Sequence, residues 1–342
     1  MVTPRRTAWL VAALALGAMV TACDGDAPGA TEPDPSDPPW AASADALDTG
    51  GLVWASGTTV HLGDGSTVEL GRVPEEYVVA GDGVYFTAGD TVDSDSSAIG
   101  ARRLYVASRD GSARGVAEGV ADLRASPDGR YLVFLDVLSN DEKDRFGTVQ
   151  VETVVVDLQA GEEVVRSAEG MGDTGSDDLA DLLSESEISV MRVTADTAYV
   201  GTGEGDYAFD LATGEAEPLD SDDRSWDRRP GDLSSPDGGW RIVDTPAFRD
   251  RLVSTDGRRV TPRTGTPRWD LDHWTPDGRL AVGIAISGPG RRDELGPRTR
   301  FALVGCAVPS GRCEVVAETT GLEVLLPAGQ ADYDAITLRP AT

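Results

Sequence analysis

The stretch SPDGRYLVF at residues 126–134 returns in altered form as SPDGGWRIV at 235–243 and TPDGRLAVG at 275–283. Proline presets φ at the first position of a tight turn, aspartate bonds nearby backbone, and glycine accepts the left-handed conformation that a Cβ disfavours. The apolar run that follows, YLVFL in the first copy, is typical of a buried strand. The phrase therefore predicts two strands joined by a tight turn, repeated along the chain.

The spacing of these turns predicts the architecture. Aligned turn aspartates stand at Asp82, Asp128, Asp196, Asp237 and Asp277, and the last two intervals are 41 and 40 residues. A period of about 40–45 residues with short strands is typical of a β-propeller blade. Each copy is followed by a second hairpin, so each unit has four strands. We predict an all-β propeller of six four-stranded blades, or of seven if the two chain ends form separate blades.

The two chain ends predict how the ring closes. Residues 52–71 offer two or three strands and residues 321–338 offer one or two, so neither end makes a blade alone. A blade built from both ends would leave no exposed sheet edge. We therefore predict that the ring is closed by strands from both termini.

The repeated phrase resembles that of the TolB-like, WD-repeat-like β-propeller family. The family pattern S-P-D-G-x-x-apolar matches residues 126–132 and, in part, residues 235–241. The resemblance covers most of residues 52–338. It implies a fold, and it leaves the function open because propellers host many functions.

The N-terminus resembles the signal segment of bacterial lipoproteins. Arg5 and Arg6 precede an apolar run at 10–20, and the sequence VTAC ends at Cys23. The apolar run is shorter than the roughly 20 residues of a membrane-spanning helix. The resemblance implies that residues 1–22 are a signal peptide and that Cys23 carries acyl chains, such as palmitate. The alternative is an ordinary signal peptide with a chance cysteine.

The expected domain organisation follows from that assignment. Residues 23–50 contain many prolines and acidic residues and little apolar surface, which predicts a disordered tether. Residues 51–342 are the predicted propeller domain. We expect an extracytoplasmic monomer that is held at the cell membrane by the lipid anchor alone.

The net charge makes two classes of partner unfavourable, and the cysteines predict a cross-link. The formal net charge of −29 disfavours binding to nucleic acid and to anionic membrane surfaces. Cys306 and Cys313 bracket a turn, and an oxidising compartment favours a disulfide that joins the two strands. A metal-binding pair is the rival interpretation, although no further cysteine or nearby histidine supports it.

Long insertions all fall on one predicted side of the propeller, where binding usually occurs. Neutral drift is the alternative, since surface insertions cost little free energy. Ser176 and the leucines after it predict a short amphipathic helix in one insertion.

Arginine and tryptophan together suit anionic groups and protein hot spots, unless the arginines only pair with neighbouring acids. The candidate binding face comprises Trp226, Arg228, Arg229, Arg268, Trp269, His273, Arg291 and Arg292.

The motifs of known catalytic centres are missing from the sequence. The only histidines are His61 and His273, and neither G-x-S-x-G nor H-E-x-x-H occurs. His273 could bind a metal with Asp270 and Asp272, but we favour a structural histidine beside Trp274. A weak calcium site is conceivable at the acidic run Asp90, Asp93 and Asp95. We therefore expect no catalytic residues, no metal site and no cofactor.

Two functions remain. The first is a binding scaffold for a protein or an envelope glycopolymer. The alternative is a propeller enzyme, such as a lactonase or lyase, with a carboxylate-lined axial site. The enzyme requires several Asp, Glu or His side chains to converge with shifted pKa values.

Overall fold

The computed structural model describes residue 40 and residues 46–89, 100–109, 113–220, 233–245, 248–288, 299–319, 323–329 and 335–337. Within these ranges, no helix has the length and apolar character that crossing a bilayer requires.

The regular elements of the described ranges are nearly all short strands. In chain order they are β1 (Trp54–Ser56), β2 (Thr59–His61), β3 (Thr67–Glu69), β4 (Glu76–Ala80), β5 (Gly83–Ala88), β6 (Arg102–Ser108), β7 (Ala113–Ala125), β8 (Tyr131–Asp136), β9 (Glu152–Asp157), β10 (Glu162–Ser167), α1 (Leu179–Glu185), β11 (Ser189–Val193), β12 (Thr197–Thr202), β13 (Gly205–Asp210), β14 (Ala216–Pro218), β15 (Trp240–Val243), β16 (Arg251–Ser254), β17 (Arg259–Val260), β18 (Arg268–Trp274), β19 (Leu280–Ser287), β20 (Arg300–Ala307), β21 (Arg312–Thr319), β22 (Glu323–Leu325) and β23 (Ala335–Thr337).

The first sheet contains strands from both chain ends. Its order is β23-β22-β1-β2-β3, and we call it the terminal sheet. Ala55 of β1 pairs with Leu325 of β22, and the Tyr77 hydroxyl donates to the Leu325 carbonyl at 3.2 Å. The prediction that strands from both termini share one sheet is confirmed.

The remaining strands form four more antiparallel sheets. The seven-stranded sheet runs from β10 to β4, and the third sheet has the order β11-β12-β13-β14. The fourth sheet is β15-β16-β17 and the fifth is β18-β19-β20-β21.

Apolar cores connect several pairs of neighbouring sheets. One core joins the terminal sheet to β5, and another joins β8 and β9 to the third sheet. A further core joins the fourth sheet to the fifth, and Val282 and Leu303 of the fifth pack with Val324 of the terminal sheet. The last sheet therefore packs against the first, and the protein is an all-β propeller.

The predicted number of blades is wrong. We expected six or seven separate four-stranded blades, but the described strands form five sheets of five, seven, four, three and four strands. The reason is β7, which continues where a break was expected. Its first part pairs with β6 (Ala107 with Ala113) and its second part with β8 (Ala125 with Leu132). One sheet therefore contains two repeats of the sequence.

The repeated turns adopt the geometry that the sequence predicts. The Ser126 hydroxyl donates to Asp128 at 2.6 Å and accepts from the Tyr131 N–H at 2.9 Å, and Gly129 has φ 70°. The same bonds recur from Ser235 to Asp237 and from Thr275 to Asp277, both at 2.6 Å. The Ser or Thr before proline thus completes each turn, because its hydroxyl holds both ends together.

The boundary of the expected tether is corrected by two buried residues. The Trp40 ring packs on Tyr85 and Phe134, with centroids 6.5 and 6.0 Å apart. Leu47 is buried, and its N–H donates to the Gly81 carbonyl at 2.7 Å. Packed chain therefore begins before residue 51.

Two local predictions are confirmed. Cys306 and Cys313 form a disulfide between paired positions of β20 and β21. The predicted helix is α1, although its N-cap is Asp178 rather than Ser176. Asp178 takes this role because its side chain accepts the N–H of Asp181.

Candidate functional site

The predicted binding face does not form as an exposed surface where the structure describes it. Arg268, Trp269 and His273 lie on β18 and are buried. Trp269 packs in the core between the fourth and fifth sheets, and its indole N–H donates to the Asp250 carbonyl at 2.9 Å. These three side chains are therefore unavailable to an external partner. The other predicted positions lie outside the described residues: Trp226, Arg228, Arg229, Arg291 and Arg292. The lipidation site Cys23 and the acidic run Asp90, Asp93 and Asp95 also lie outside them.

Four aspartates converge next to β18 instead. Asp244 follows β15, Asp250 precedes β16, and Asp270 and Asp272 belong to β18. Carboxylate oxygens of the first three all lie within 4.8 Å of one another. Asp272 adjoins them, since its charge acts on Asp270. We call these four residues the aspartate cluster.

Backbone hydrogen bonds fix the central member of the aspartate cluster. Asp250 is 0% exposed and accepts the N–H groups of Thr245 at 2.9 Å and Leu271 at 2.7 Å. The second bond crosses from the fourth sheet to the fifth. Asp250 thus joins two neighbouring sheets, and its position is set by both.

Negative charge is concentrated in the aspartate cluster. The pKa of Asp250 is raised to about 7, mainly by burial and also by the charge of Asp270, while the two amide N–H groups oppose the rise. Burial also raises the pKa of Asp270; the hydrogen bond with Asp250 opposes this, and the charges of Asp244 and Asp272 add to it. Neutralisation by a proton or by a cation would relieve this repulsion.

Two buried polar atoms beside the cluster have unmet hydrogen-bonding capacity. His273 is 6% exposed, and neither its Nδ1 nor the Oδ2 of Asp272 makes a hydrogen bond within the described part of the chain. The two atoms face each other at 3.4 Å. Buried polar atoms without hydrogen bonds are rare in proteins, and an ion or water often accounts for them.

Sequence reasoning reached part of this cluster but assigned it no metal. Asp270, Asp272 and His273 lie together in the chain and were weighed as a metal set, but a structural histidine was favoured and no metal site was predicted. Asp244 and Asp250 were missed, because they lie at the two ends of a connection between strands and carry no local motif.

The second candidate site is a hairpin on the insertion between β8 and β9. Lys143 pairs with Val149 across it, and we call residues 143–149 the Phe146 hairpin. Phe146 stands at its tip and is 62% exposed, and the Arg145 guanidinium lies 4.6 Å from the centre of the ring.

A buried carboxylate fixes the shape of the Phe146 hairpin. Asp144 accepts the N–H groups of Phe146 and Thr148 from inside the hairpin, both at 2.9 Å. It also accepts the Leu179 N–H of α1 at 2.9 Å. Burial alone would raise the pKa of Asp144, but these N–H groups hold it below the usual value. The hairpin is therefore pinned to the first turn of α1.

The surface beside the Phe146 hairpin is acidic. Asp141 and Glu142 precede the hairpin and are exposed, and Asp181 and Glu185 are exposed on α1. The leucines of α1 pack inward, with Leu179 and Leu183 buried. The patch therefore combines an exposed aromatic ring, covered on one face by Arg145, with exposed carboxylates before the hairpin and on α1.

Comparison with known proteins finds solved structures of weak similarity. No protein-family model and no curated protein matches the chain. Solved structures that are similar include TolB from Acinetobacter baumannii, with 11% identity over 74% of this chain and 68% of that chain, at a TM-score of 0.30. The β-propeller domain of the trilobed protease from Pyrococcus furiosus is 10% identical over 78% of this chain and 97% of that chain, at 0.33.

An acylaminoacyl peptidase from Pyrococcus horikoshii is 12% identical over 78% of this chain and 51% of that chain, at a TM-score of 0.37. The chain spans less than two thirds of several solved chains that it matches, for example 65%, 46% and 55% of their lengths. Likenesses at these scores carry no argument. The propeller assignment stands on the strand pairing and the cores between sheets.

Proposed function

We propose that the protein is a non-catalytic propeller scaffold that binds a partner protein through the Phe146 hairpin. The observation that carries this proposal is the exposure of Phe146 on a hairpin that Asp144 pins to α1. Single exposed hydrophobic residues are common on protein surfaces. Phe146 differs because its backbone is fixed, so little conformational entropy is lost when a partner covers the ring.

The surroundings of the hairpin favour a basic partner surface. Four exposed acids precede the hairpin or lie on α1, to which Asp144 pins it: Asp141, Glu142, Asp181 and Glu185. They outnumber the two exposed cations of the hairpin, Lys143 and Arg145, and opposite charge on a partner would speed association and select the orientation. An aromatic anchor within a polar rim is the usual composition of a hot spot. An envelope glycopolymer is the less favoured ligand, because sugars stack on a ring face and the Arg145 guanidinium already covers one face of Phe146.

The enzyme alternative has one observation in its favour. The aspartate cluster brings carboxylates together, and the pKa of Asp250 is raised to about 7 by burial. A general base must reach the proton that it abstracts. Asp250 is 0% exposed and both of its oxygens accept backbone N–H groups. We therefore favour the binding scaffold.

The proposal also includes acylation of Cys23 and attachment of the protein to the cell membrane. In an expressing bacterium, Cys23→Ser should abolish incorporation of labelled palmitate and release the protein from the membrane fraction. Labelling of the serine variant at the wild-type level would contradict the proposed anchor.

The binding proposal is tested by site-specific photocrosslinking in the native envelope. A benzoylphenylalanine in place of Phe146 should give a discrete adduct with one protein, identified by mass spectrometry. Val73 is 65% exposed in the connection between β3 and β4 and is the matched control position. The control should not give the same adduct.

The identified partner then permits a quantitative test. Phe146→Ala should weaken binding of the purified partner by at least about tenfold, because hot-spot truncations cost 2 kcal/mol or more. Val73→Ala should leave the affinity unchanged. Identical adducts at both positions, or an unchanged affinity of Phe146→Ala, would exclude the hairpin as the binding site.

A further inference from the structure

The aspartate cluster combines ligand geometry with a charge imbalance. Asp244, Asp250 and Asp270 present oxygens within 4.8 Å of one another. Ca²⁺ binds oxygen at about 2.3–2.6 Å, so ligand oxygens on its surface are separated by up to about 5 Å. Asp244 is exposed while Asp250 is buried, so the cluster can be reached from solvent on one side.

Another junction between sheets contains the cation that would balance such charges. Glu76 accepts the Leu123 N–H at 2.9 Å, and Asp122 accepts the Val190 N–H of the third sheet at 2.6 Å. Arg124 lies between these carboxylates, 2.5 Å from Glu76 and 2.9 Å from Asp122. Among the charges that act on Asp270 are those of Asp244 and Asp272, and both are negative.

An independent observation comes from His273. It is more than nine-tenths buried, and its Nδ1 faces Asp272 without forming a hydrogen bond in the described ranges. The Oδ2 of Asp272 has no hydrogen bond there either. A cation bound to the aspartate cluster would attract the Asp272 oxygen, and that oxygen would orient the His273 imidazole beside it. Metal ligands are commonly supported by neighbouring polar groups of this kind.

We propose that the aspartate cluster binds one hard divalent cation, with Asp244, Asp250 and Asp270 as protein ligands and Asp272 and His273 as their supporting pair. Three carboxylates favour Ca²⁺, Mg²⁺ or Mn²⁺ over softer metals. Because Asp250 belongs to the fourth sheet and Asp270 to the fifth, the cation would tie two sheets together.

Equilibrium dialysis measures this binding directly. The full chain is freed of metal with a chelator and dialysed against CaCl₂, MgCl₂ or MnCl₂ in 150 mM KCl, which screens weak binding to the acidic surface. Bound metal is then counted by atomic emission. We expect one saturable site for at least one of the three cations, together with a higher melting temperature at saturation.

Variants decide whether this site is the aspartate cluster. Asp270→Asn should weaken binding by about 30-fold or more, while Glu185→Gln, an exposed acid on α1, should bind as the wild type does. Asp244→Asn is the second variant, because an exposed aspartate can be replaced with little risk to folding. Near-ultraviolet circular dichroism without metal verifies that each variant is folded.

The proposal is overturned by either of two results. One is that none of the three cations binds the wild type saturably. The other is that Asp270→Asn and Asp244→Asn, both folded, bind with wild-type affinity, since the cation would then occupy another acidic surface.

Discussion

At two junctions between sheets, aspartate or glutamate carboxylates accept backbone N–H groups, but the charges next to these carboxylates differ. At the first, Glu76 and Asp122 accept backbone N–H groups of neighbouring strands, and Arg124 supplies the opposite charge. At the aspartate cluster, Asp250 accepts the Leu271 N–H in the same manner, but its neighbour is the carboxylate of Asp270. A carboxylate can therefore join two strands in both places, and at the first junction an arginine supplies its counter-charge.

The largest effect should come from removing that arginine. Arg124→Met removes the positive charge that faces the half-buried carboxylates of Glu76 and Asp122. Breaking a fully buried pair costs about 3–5 kcal/mol, which is the upper bound here. Urea denaturation should therefore show a large loss in the free energy of unfolding. The double variant Arg124→Met with Glu76→Gln is the control and should recover part of the loss. A cost below about 1 kcal/mol for Arg124→Met would remove the contrast between the junctions.

At the aspartate cluster, we expect a substitution to raise the free energy of unfolding instead of lowering it. Without divalent cations, Asp270→Asn removes one of several like charges while the amide can still bond to Asp250. We expect the free energy of unfolding to rise by about 1 kcal/mol, less than one pKa unit of repulsion. Urea denaturation in the presence of a chelator measures it. A loss of stability would mean that the carboxylates do not repel one another as described.

The smallest effect should come from an ion pair whose arginine is exposed to solvent. Arg130 donates to Asp157 at 2.6 Å. Burial alone would raise the pKa of Asp157, but Arg130 and two backbone N–H groups hold it below its usual value. A carboxyl with a lowered folded pKa contributes stability above its unfolded pKa, and this is lost as the pH falls through the folded value.

Arg130→Gln should therefore lower the urea midpoint at pH 6 slightly, and the difference from the wild type should vanish near pH 2. Because Arg130 is exposed to solvent, the loss should be smaller than in Arg124→Met. A difference that persisted at pH 2 would show that Arg130 acts through packing and not through the charge of Asp157.

The sequence predicted the features that are local. Each S-P-D-G turn needs only its own residues, and the disulfide needs only two cysteines across a hairpin. The terminal sheet was also predictable, since two incomplete ends require each other. The blade count failed at β7, because nothing within residues 113–125 shows whether a strand ends between two pairings.

The candidate sites were predictable only where their residues are close in sequence. Asp270, Asp272 and His273 lie on one strand, but Asp250 reaches them through a hydrogen bond to Leu271. The arginine-rich face failed for a different reason. Composition does not show that Arg268 and Trp269 lie on a buried strand. Phe146 was passed over because a single aromatic residue in a polar insertion has no periodicity, and Asp144 fixes it through contacts with distant α1.

The terminal sheet has a consequence for how the protein folds. Tyr77 bonds to Leu325 across 248 positions, and β22 pairs with β1 from the opposite end of the chain. Such distant partners meet slowly, because a long loop must close before any contact compensates for the lost entropy. The edge of β1 must therefore stay unpaired until β22, far later in the chain, has been synthesised.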